Sequence, residues 1–243
     1  MAALYDTIGL NYSELRKADH RIAAVIGAAL GTARSVMNVG AGTGSYEPTG
    51  KRVTAVERSL AMIARRSPGA AVAVQASAEA LPFPDKSFDA SMAILTLHHW
   101  PDLHAGLREM RRVTRGPVVL LTYGPAFRPW LTDYVPALAT LDDAVMPRLE
   151  EYEHSLGPVQ IAPVLVLHDC SDGFLYAYWR RPAAYLDARI RSGSSSFWAI
   201  GDAATPGMEA LRRDLESGAW RQRYPALETL DAYDAGYRLV VTA

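Results

Sequence analysis

The chain has 243 residues, of which 49% are hydrophobic and 21% charged, with a formal net charge of -1. That length suits one enlarged domain or a core with insertions, and it allows roughly 70–75% of the unfolded surface to be buried. A near-neutral chain without a long like-charge run argues against a phosphate-driven nucleic-acid binder, and the lone Cys170 excludes an intrachain disulfide and a Cys-based zinc site.

From the N-terminus, the first cation is Arg16, so no basic leader precedes an apolar run. The apolar stretch Ile22 to Leu30 is far shorter than the ~20 residues that span a bilayer. The expectation is a cytoplasmic protein with no membrane partner. Asp19 reads as the cap of a helix over His20 to Leu30, with Ile22, Val25, Ile26 and Ala29 on one face. Ser35 to Val39 reads as a buried strand that ends in the glycine turn Gly40-Ala-Gly42-Thr-Gly44. Strands follow over Arg52–Val56, Ala71–Gln75, Asp89–Leu95 and Pro117–Tyr123, with helices over Leu60–Arg66 and Leu103–Val113. This alternation predicts βαβ units and a parallel sheet. Beyond Tyr123 the pattern loosens. Residues 125–155 show no strand, Val159–Leu167 is strand-like, 172–230 are helical pieces and loops, and Tyr237–Val241 is a last strand that closes the sheet. The long insertion is expected over the carboxyl edge of the sheet, where open α/β folds bind ligands.

The glycine turn lets backbone approach a ligand closely. A dinucleotide fingerprint would place its third glycine at position 45, which is Ser45, and Pro48 and Gly50 leave little room for a phosphate-holding helix. The loop therefore suits a ligand without a diphosphate, and a nicotinamide dehydrogenase is disfavoured. Glu57, at the end of the second strand, reads either as an acceptor for ribose hydroxyls or as an exposed acid starting a helix. Arg58 reads either as a lid on an adenine face or as a solvated side chain.

Four segments occur in order: Val36 to Gly44, Val56 to Met62, Ala76 to Asp89, and Leu95-Thr-Leu-His-His-Trp-Pro-Asp102. Together they resemble a class I S-adenosylmethionine-dependent methyltransferase, in the branch that holds ubiquinone and menaquinone methyltransferases and many small-molecule methyltransferases. The resemblance spans roughly residues 35–123. It implies an α/β, Rossmann-like class I methyltransferase fold with a mostly parallel seven-stranded sheet and helical lid insertions. The chain then forms one methyltransferase domain, with an N-terminal cap at 1–20, a cofactor-binding core at 35–123 and lid insertions at 125–155 and 172–230.

The resemblance also implies S-adenosyl-L-methionine as cofactor and S-adenosyl-L-homocysteine as product. It places Gly40, Ala41 and Gly42 against the methionine part, Glu57 on the ribose, Arg58 and Met62 beside the adenine, Ser77 and Ala78 at its edge, and Thr96 and Leu97 near the sulfonium. Tyr5, Tyr12 and Arg16 either close over the cofactor or are ordinary packing and surface residues. Two positions depart from the family pattern: Asn38 stands where an acid usually binds the cofactor's amino-acid end, and Ser77 where an acid usually meets the adenine.

Methyl transfer needs an aligned nucleophile, and a general base helps if that nucleophile carries a proton. His98 and His99 are the catalytic candidates; otherwise one faces the fold and the other caps the next helix. In some small-molecule O-methyltransferases of the branch that the chain resembles, a histidine pair here acts with an aspartate after the fifth strand; the matching Thr122-Tyr123-Gly124 holds none. Trp100 and Asp102 read as packing and capping the following helix. Trp130, Tyr134, Tyr176, Tyr178, Trp179, Phe197 and Trp198 read as the filling of a lid before they read as a substrate pocket. No paired metal-ligand spacing occurs among the histidines.

The leading expectation is methyl transfer to an O, N or C nucleophile of a small molecule, by a monomer or homodimer. The alternative is a cofactor-binding protein on the same fold with a regulatory or non-methyl-transfer role.

Overall fold

The computed structural model describes residues 15–242. The first helix, α1 (His20–Leu30), starts where the Asp19 carboxylate accepts the Arg21 amide and stops at Gly31, whose φ is 55°. Its buried face is Ile22, Ile26 and Leu30. Strand β1 (Ser35–Val39) is buried along its whole length, as an apolar run between two covered faces requires. β2 (Arg52–Glu57), α2 (Leu60–Ala64), β3 (Val72–Gln75), β4 (Ala90–Ile94), α3 (Leu103–Val113) and β5 (Val118–Tyr123) then alternate.

The second half is helical and irregular. It holds α4 (Leu131–Tyr134), α5 (Pro136–Val145), α6 (Glu151–Leu156), strands β6 (Val159–Pro163) and β7 (Val166–Leu167), then α7 (Ala188–Arg191), α8 (Ser195–Ile200), α9 (Thr205–Ser217) and α10 (Ala219–Arg223), and finally β8 (Ala232–Tyr233) and β9 (Tyr237–Thr242).

Seven strands form one sheet in the order β3-β2-β1-β4-β5-β9-β6. β1 to β5 are parallel, and β9 runs antiparallel to both β5 and β6. The chain order reverses between β1 and β4, so the carboxyl ends of these two strands open a crevice. Alternate residues of β5 feed the two faces: Val119, Leu121 and Tyr123 join α1 and the lid, whereas Val118 and Leu120 join the α3 side with Leu107 and Met110.

One expectation needs correction. The single strand over Val159–Leu167 is two strands: β6 pairs with β9 and β7 pairs with β8 in a separate ribbon, with exposed Leu165 between them. Pro163 is tolerated because β6 is the edge strand of its sheet, where a missing N–H costs no ladder bond. The last strand joins the sheet between β5 and β6.

The lid is an aromatic core. Trp130 stacks edge-on against Trp220, Tyr185 and Tyr134 at 5.3–5.9 Å. Its indole N–H donates to the Trp179 carbonyl at 2.8 Å, and the Trp179 indole donates to the Val166 carbonyl at 2.9 Å. Of the aromatics expected to fill the lid, Trp130, Tyr134, Tyr176, Trp179 and Phe197 are buried, while Trp198 is exposed; Tyr185 and Trp220, which that expectation does not include, join them. Among the described residues no helix is long and apolar enough to cross a membrane.

Candidate active site

The turn after β1 shapes a cavity of about 330 Å³ at the switch point. Gly40 has φ 67°, and a Cβ there would stand 2.8 Å from Thr96 Cγ2 and closer still to its Oγ1. No other residue fits this approach of the turn to the end of β4. Gly42 has φ 52°, and its amide donates to Glu57 Oε2 at 2.8 Å. Glu57 Oε1 accepts the Ser59 amide at 2.8 Å. Each carboxylate oxygen thus takes one backbone bond and keeps a lone pair for a ligand. The region between Gly40 and Lys51 contains turns and no helix, so no helix N-terminus faces the cavity from here.

Arg16, Asn38, Gly40, Ala41, Gly42, Glu57, Arg58, Met62, Ser77, Ala78 and Thr96 all line this one cavity, although the sequence spreads them over 81 positions. Leu97 does not line it and faces a second, smaller cavity instead. Tyr5 and Tyr12 lie outside the described residues. His99 lines the first cavity, with Trp100 beside it.

Three features of the cavity have no clear sequence signal. Leu95 sits at φ 52°, a left-handed conformation that costs a non-glycine residue of order 1–3 kcal/mol and marks functional sites; its amide still donates to the Leu121 carbonyl at 2.8 Å. Glu79 lines the cavity and accepts the Ser77 hydroxyl, so a carboxylate stands beside the serine that replaces the family's acid. Asn38 donates its amide nitrogen to Glu47 Oε1 at 3.3 Å, and Glu47 is held by Arg66 at 2.6 Å.

Arg16 joins Asp172 through Nε at 2.7 Å, and Tyr46 donates to the same carboxylate at 2.8 Å. Burial and the Asp172 charge hold the Tyr46 hydroxyl well above its ordinary range. This cluster ties the glycine turn to the 169–174 segment of the lid.

The second cavity, about 50 Å³, shares Arg16, Leu95 and Thr96 with the first. The 3-10 turn after β4 contributes Leu97 and His98, the sheet contributes Thr122, Tyr123 and Tyr237, and the lid contributes Asp142, Phe174, Tyr176 and Ser194 to Ser196. The insertion therefore does cover the carboxyl edge of the sheet. His98 and His99 lie in a short 3-10 turn with ring centroids 3.9 Å apart. Burial pushes His98 well below its usual value, with the neighbouring His99 and Arg16 adding to the effect; burial pushes His99 down to about 4. Both rings are neutral near pH 7. Neither caps the next helix: Asp102 does so, accepting the Ala105 amide at 2.9 Å.

No aspartate follows β5, but a carboxylate enters the same cavity from α5 as Asp142. Only its buried position in the fold distinguishes it from Asp143 beside it.

The residues fit S-adenosylmethionine. The cavity pairs a diol acceptor at Glu57 with apolar walls at Met62 and Ala78, and it offers backbone at Gly40 to Gly42 without a phosphate-binding helix.

Residues 37–121 match the family described as methyltransferase domain. A malonyl-[acyl-carrier protein] O-methyltransferase of Halorhodospira halophila is 39% identical over 106 residues, covering 38% of this chain and 36% of that protein. A demethylmenaquinone methyltransferase of Renibacterium salmoninarum is 31% identical over 153 residues, covering 55% and 63% respectively. The matches thus span under two thirds of either relative. The crystal structure of a putative methyltransferase from an antibiotic biosynthesis pathway of Anabaena variabilis superposes with a TM-score of 0.88 at 36% identity, covering 94% of this chain and 99% of that one. The chain belongs to the class I S-adenosylmethionine-dependent methyltransferases.

Proposed function

We propose that the protein transfers a methyl group from S-adenosylmethionine to an O, N or C nucleophile of a small molecule, as one methyltransferase domain acting in the cytoplasm. The observation that carries this reading is the meeting of two cavities at Leu95 and Thr96, one lined by Glu57 and the glycine turn and the other by His98. When bound, S-adenosylmethionine supplies an electrophilic methyl on a sulfonium. Glu57 accepts the ribose hydroxyls, Gly40 to Gly42 meet the methionine part, Arg58 and Met62 flank the adenine, and Ser77 with Ala78 holds its edge. Arg16, which lines both cavities, faces the cofactor's carboxylate end while keeping its bond to Asp172.

Alignment of the nucleophile supplies much of the rate. His98, neutral and facing the acceptor cavity, receives the proton that the nucleophile gives up. The relatives' names support transfer over a regulatory role: each is described as a methyltransferase, two of them with small-molecule or carrier-bound acceptors.

Calorimetric titration with S-adenosylhomocysteine tests the cofactor site. Hydrogen bonds to a charged acceptor contribute about 1.5–3 kcal/mol each, so Glu57→Ala is expected to weaken binding at least tenfold. Unchanged affinity in the variant would refute the assignment.

A further inference from the structure

We propose that Asp142 selects the methyl acceptor by binding a protonated amine of that molecule against its open carboxylate oxygen, between the rings of Tyr123, Tyr176 and Tyr237. This rests on the methyl-transfer reading above and names the class of acceptor it takes.

Asp142 is 1% exposed and lines the smaller cavity. The Tyr176 hydroxyl donates to its Oδ2 at 2.8 Å, and Oδ1 has no hydrogen-bond partner. No salt bridge reaches it among the described residues. The cations nearby are committed elsewhere: Arg128 pairs with Asp143 at 2.6 Å and Arg16 with Asp172 at 2.7 Å. A buried carboxylate without a cation is strongly disfavoured, and folds normally neutralise or pair it. If its only task were to accept the Tyr176 hydroxyl, a neutral amide would do so at lower cost. The unpaired oxygen in a lined cavity therefore points to a ligand that brings the missing charge.

The surrounding rings favour the same ligand. Tyr123 lies 5.3 Å from Tyr176 and 5.6 Å from Tyr237 by ring centroids, and Phe174 lies 4.6 Å from Tyr237. Aromatic faces attract a cation, more so when it is desolvated. Ser194 and Ser196 add hydroxyl oxygens that can accept from an ammonium with three donors.

A cavity of about 50 Å³ holds an amine head group and not a whole acceptor, so the rest of the molecule lies toward Leu95 and Thr96, where the two cavities join. A protonated amine has no lone pair to attack a methyl. While Asp142 holds it, it anchors the acceptor, and a different atom of the same molecule receives the methyl. Such remote binding is the kind that enzymes use to align a reacting centre.

The test uses the full chain saturated with S-adenosylhomocysteine, titrated with benzylamine and with benzyl alcohol, its neutral near-isostere. Wild type is expected to bind benzylamine at least tenfold more tightly than benzyl alcohol. Asp142→Asn, whose amide oxygen still accepts from Tyr176, is expected to lose that preference with S-adenosylhomocysteine affinity unchanged. Equal binding of the two probes, a preference that survives in the variant, or no binding of benzylamine while S-adenosylhomocysteine binds would each overturn the proposal. Failure of S-adenosylhomocysteine itself to bind would strike at the cofactor reading first and at this one with it.

Discussion

Replacing Asp142 by asparagine is expected to stabilise the protein, and to do so only where the carboxyl is ionised. Burial raises Asp142 from its ordinary value of 3.8 to about 6, against the lowering effect of the Tyr176 bond. The folded state therefore holds a proton on this carboxyl between about pH 4 and 6 that the unfolded chain has already released. Stability from this group is fully present below pH ~4 and is lost as pH rises through about 6. At about 1.4 kcal/mol per tenfold change in proton affinity, the full span is worth ~3 kcal/mol. Asparagine removes that titration and keeps an acceptor for Tyr176, but it sets an amide N–H₂ where Oδ1 was, which takes back roughly 1 kcal/mol or more. The net expectation at pH 7.5 is a gain of about 1–2 kcal/mol, vanishing near pH 4. Urea unfolding at pH 4.5 and pH 7.5, with equal slopes for both proteins, measures the difference directly. A variant no more stable at pH 7.5, or a difference that does not change with pH, would refute the argument that the carboxylate is buried at a cost. A gain in stability joined to a loss of amine binding would show a residue kept for function.

Two further outcomes follow from the same geometry. Gly40→Ala adds a Cβ that meets Thr96 and forces alanine to φ 67°, worth about 1–2 kcal/mol in backbone strain alone; S-adenosylhomocysteine binding is expected to fall more than tenfold by calorimetry, and adding Thr96→Ala is expected to restore part of it. Arg16→Met leaves the fully buried Asp172 carboxylate without its cation, with the Tyr46 hydroxyl still donating to it at 2.8 Å; breaking a buried pair from one side costs about 3–5 kcal/mol, and adding Asp172→Asn is expected to recover much of that loss in a denaturant melt.

The elements that sequence reading located well carry their signals locally. Asp19 and Asp102 sit directly before the helices they cap, and β1 and β5 are mostly apolar and buried along their whole length because both faces of the sheet are covered. Most of the residues expected at the site line one cavity for a related reason: they lie at strand ends and turns, where residue type follows backbone geometry, as Gly40 does. Partners from far along the chain left no such mark. Asp142 and Asp143 are adjacent acids on one helix, yet the first is 1% exposed and the second pairs with Arg128 at the surface. Which of the two turns inward depends on how α5 packs against α8 and on Tyr176, 34 positions away. The split of β6 from β7 was hidden likewise, because continuous strand-like sequence does not reveal that two different partners, β9 and β8, claim its halves.

Asn38 shows how a departure from a family pattern becomes readable once its neighbours are known. The amide nitrogen of Asn38 donates to Glu47, and a carboxylate held by Arg66 can only accept. That bond fixes which way the amide points: nitrogen toward Glu47, with the oxygen left as the acceptor on a residue that lines the cofactor cavity. An acid at position 38 would set two carboxylates 3.3 Å or so apart, and like charges at that distance raise one another's proton affinity instead of staying ionised. Asparagine keeps an acceptor in the cavity without that repulsion. Its identity is tied to Glu47, which stands in the helix-free turn between Gly44 and Lys51. Ser77 follows a parallel logic: its hydroxyl is committed to Glu79, a carboxylate two positions on that lines the same cavity. At each position a carboxylate thus stands one side chain away, Glu47 beside Asn38 and Glu79 beside Ser77.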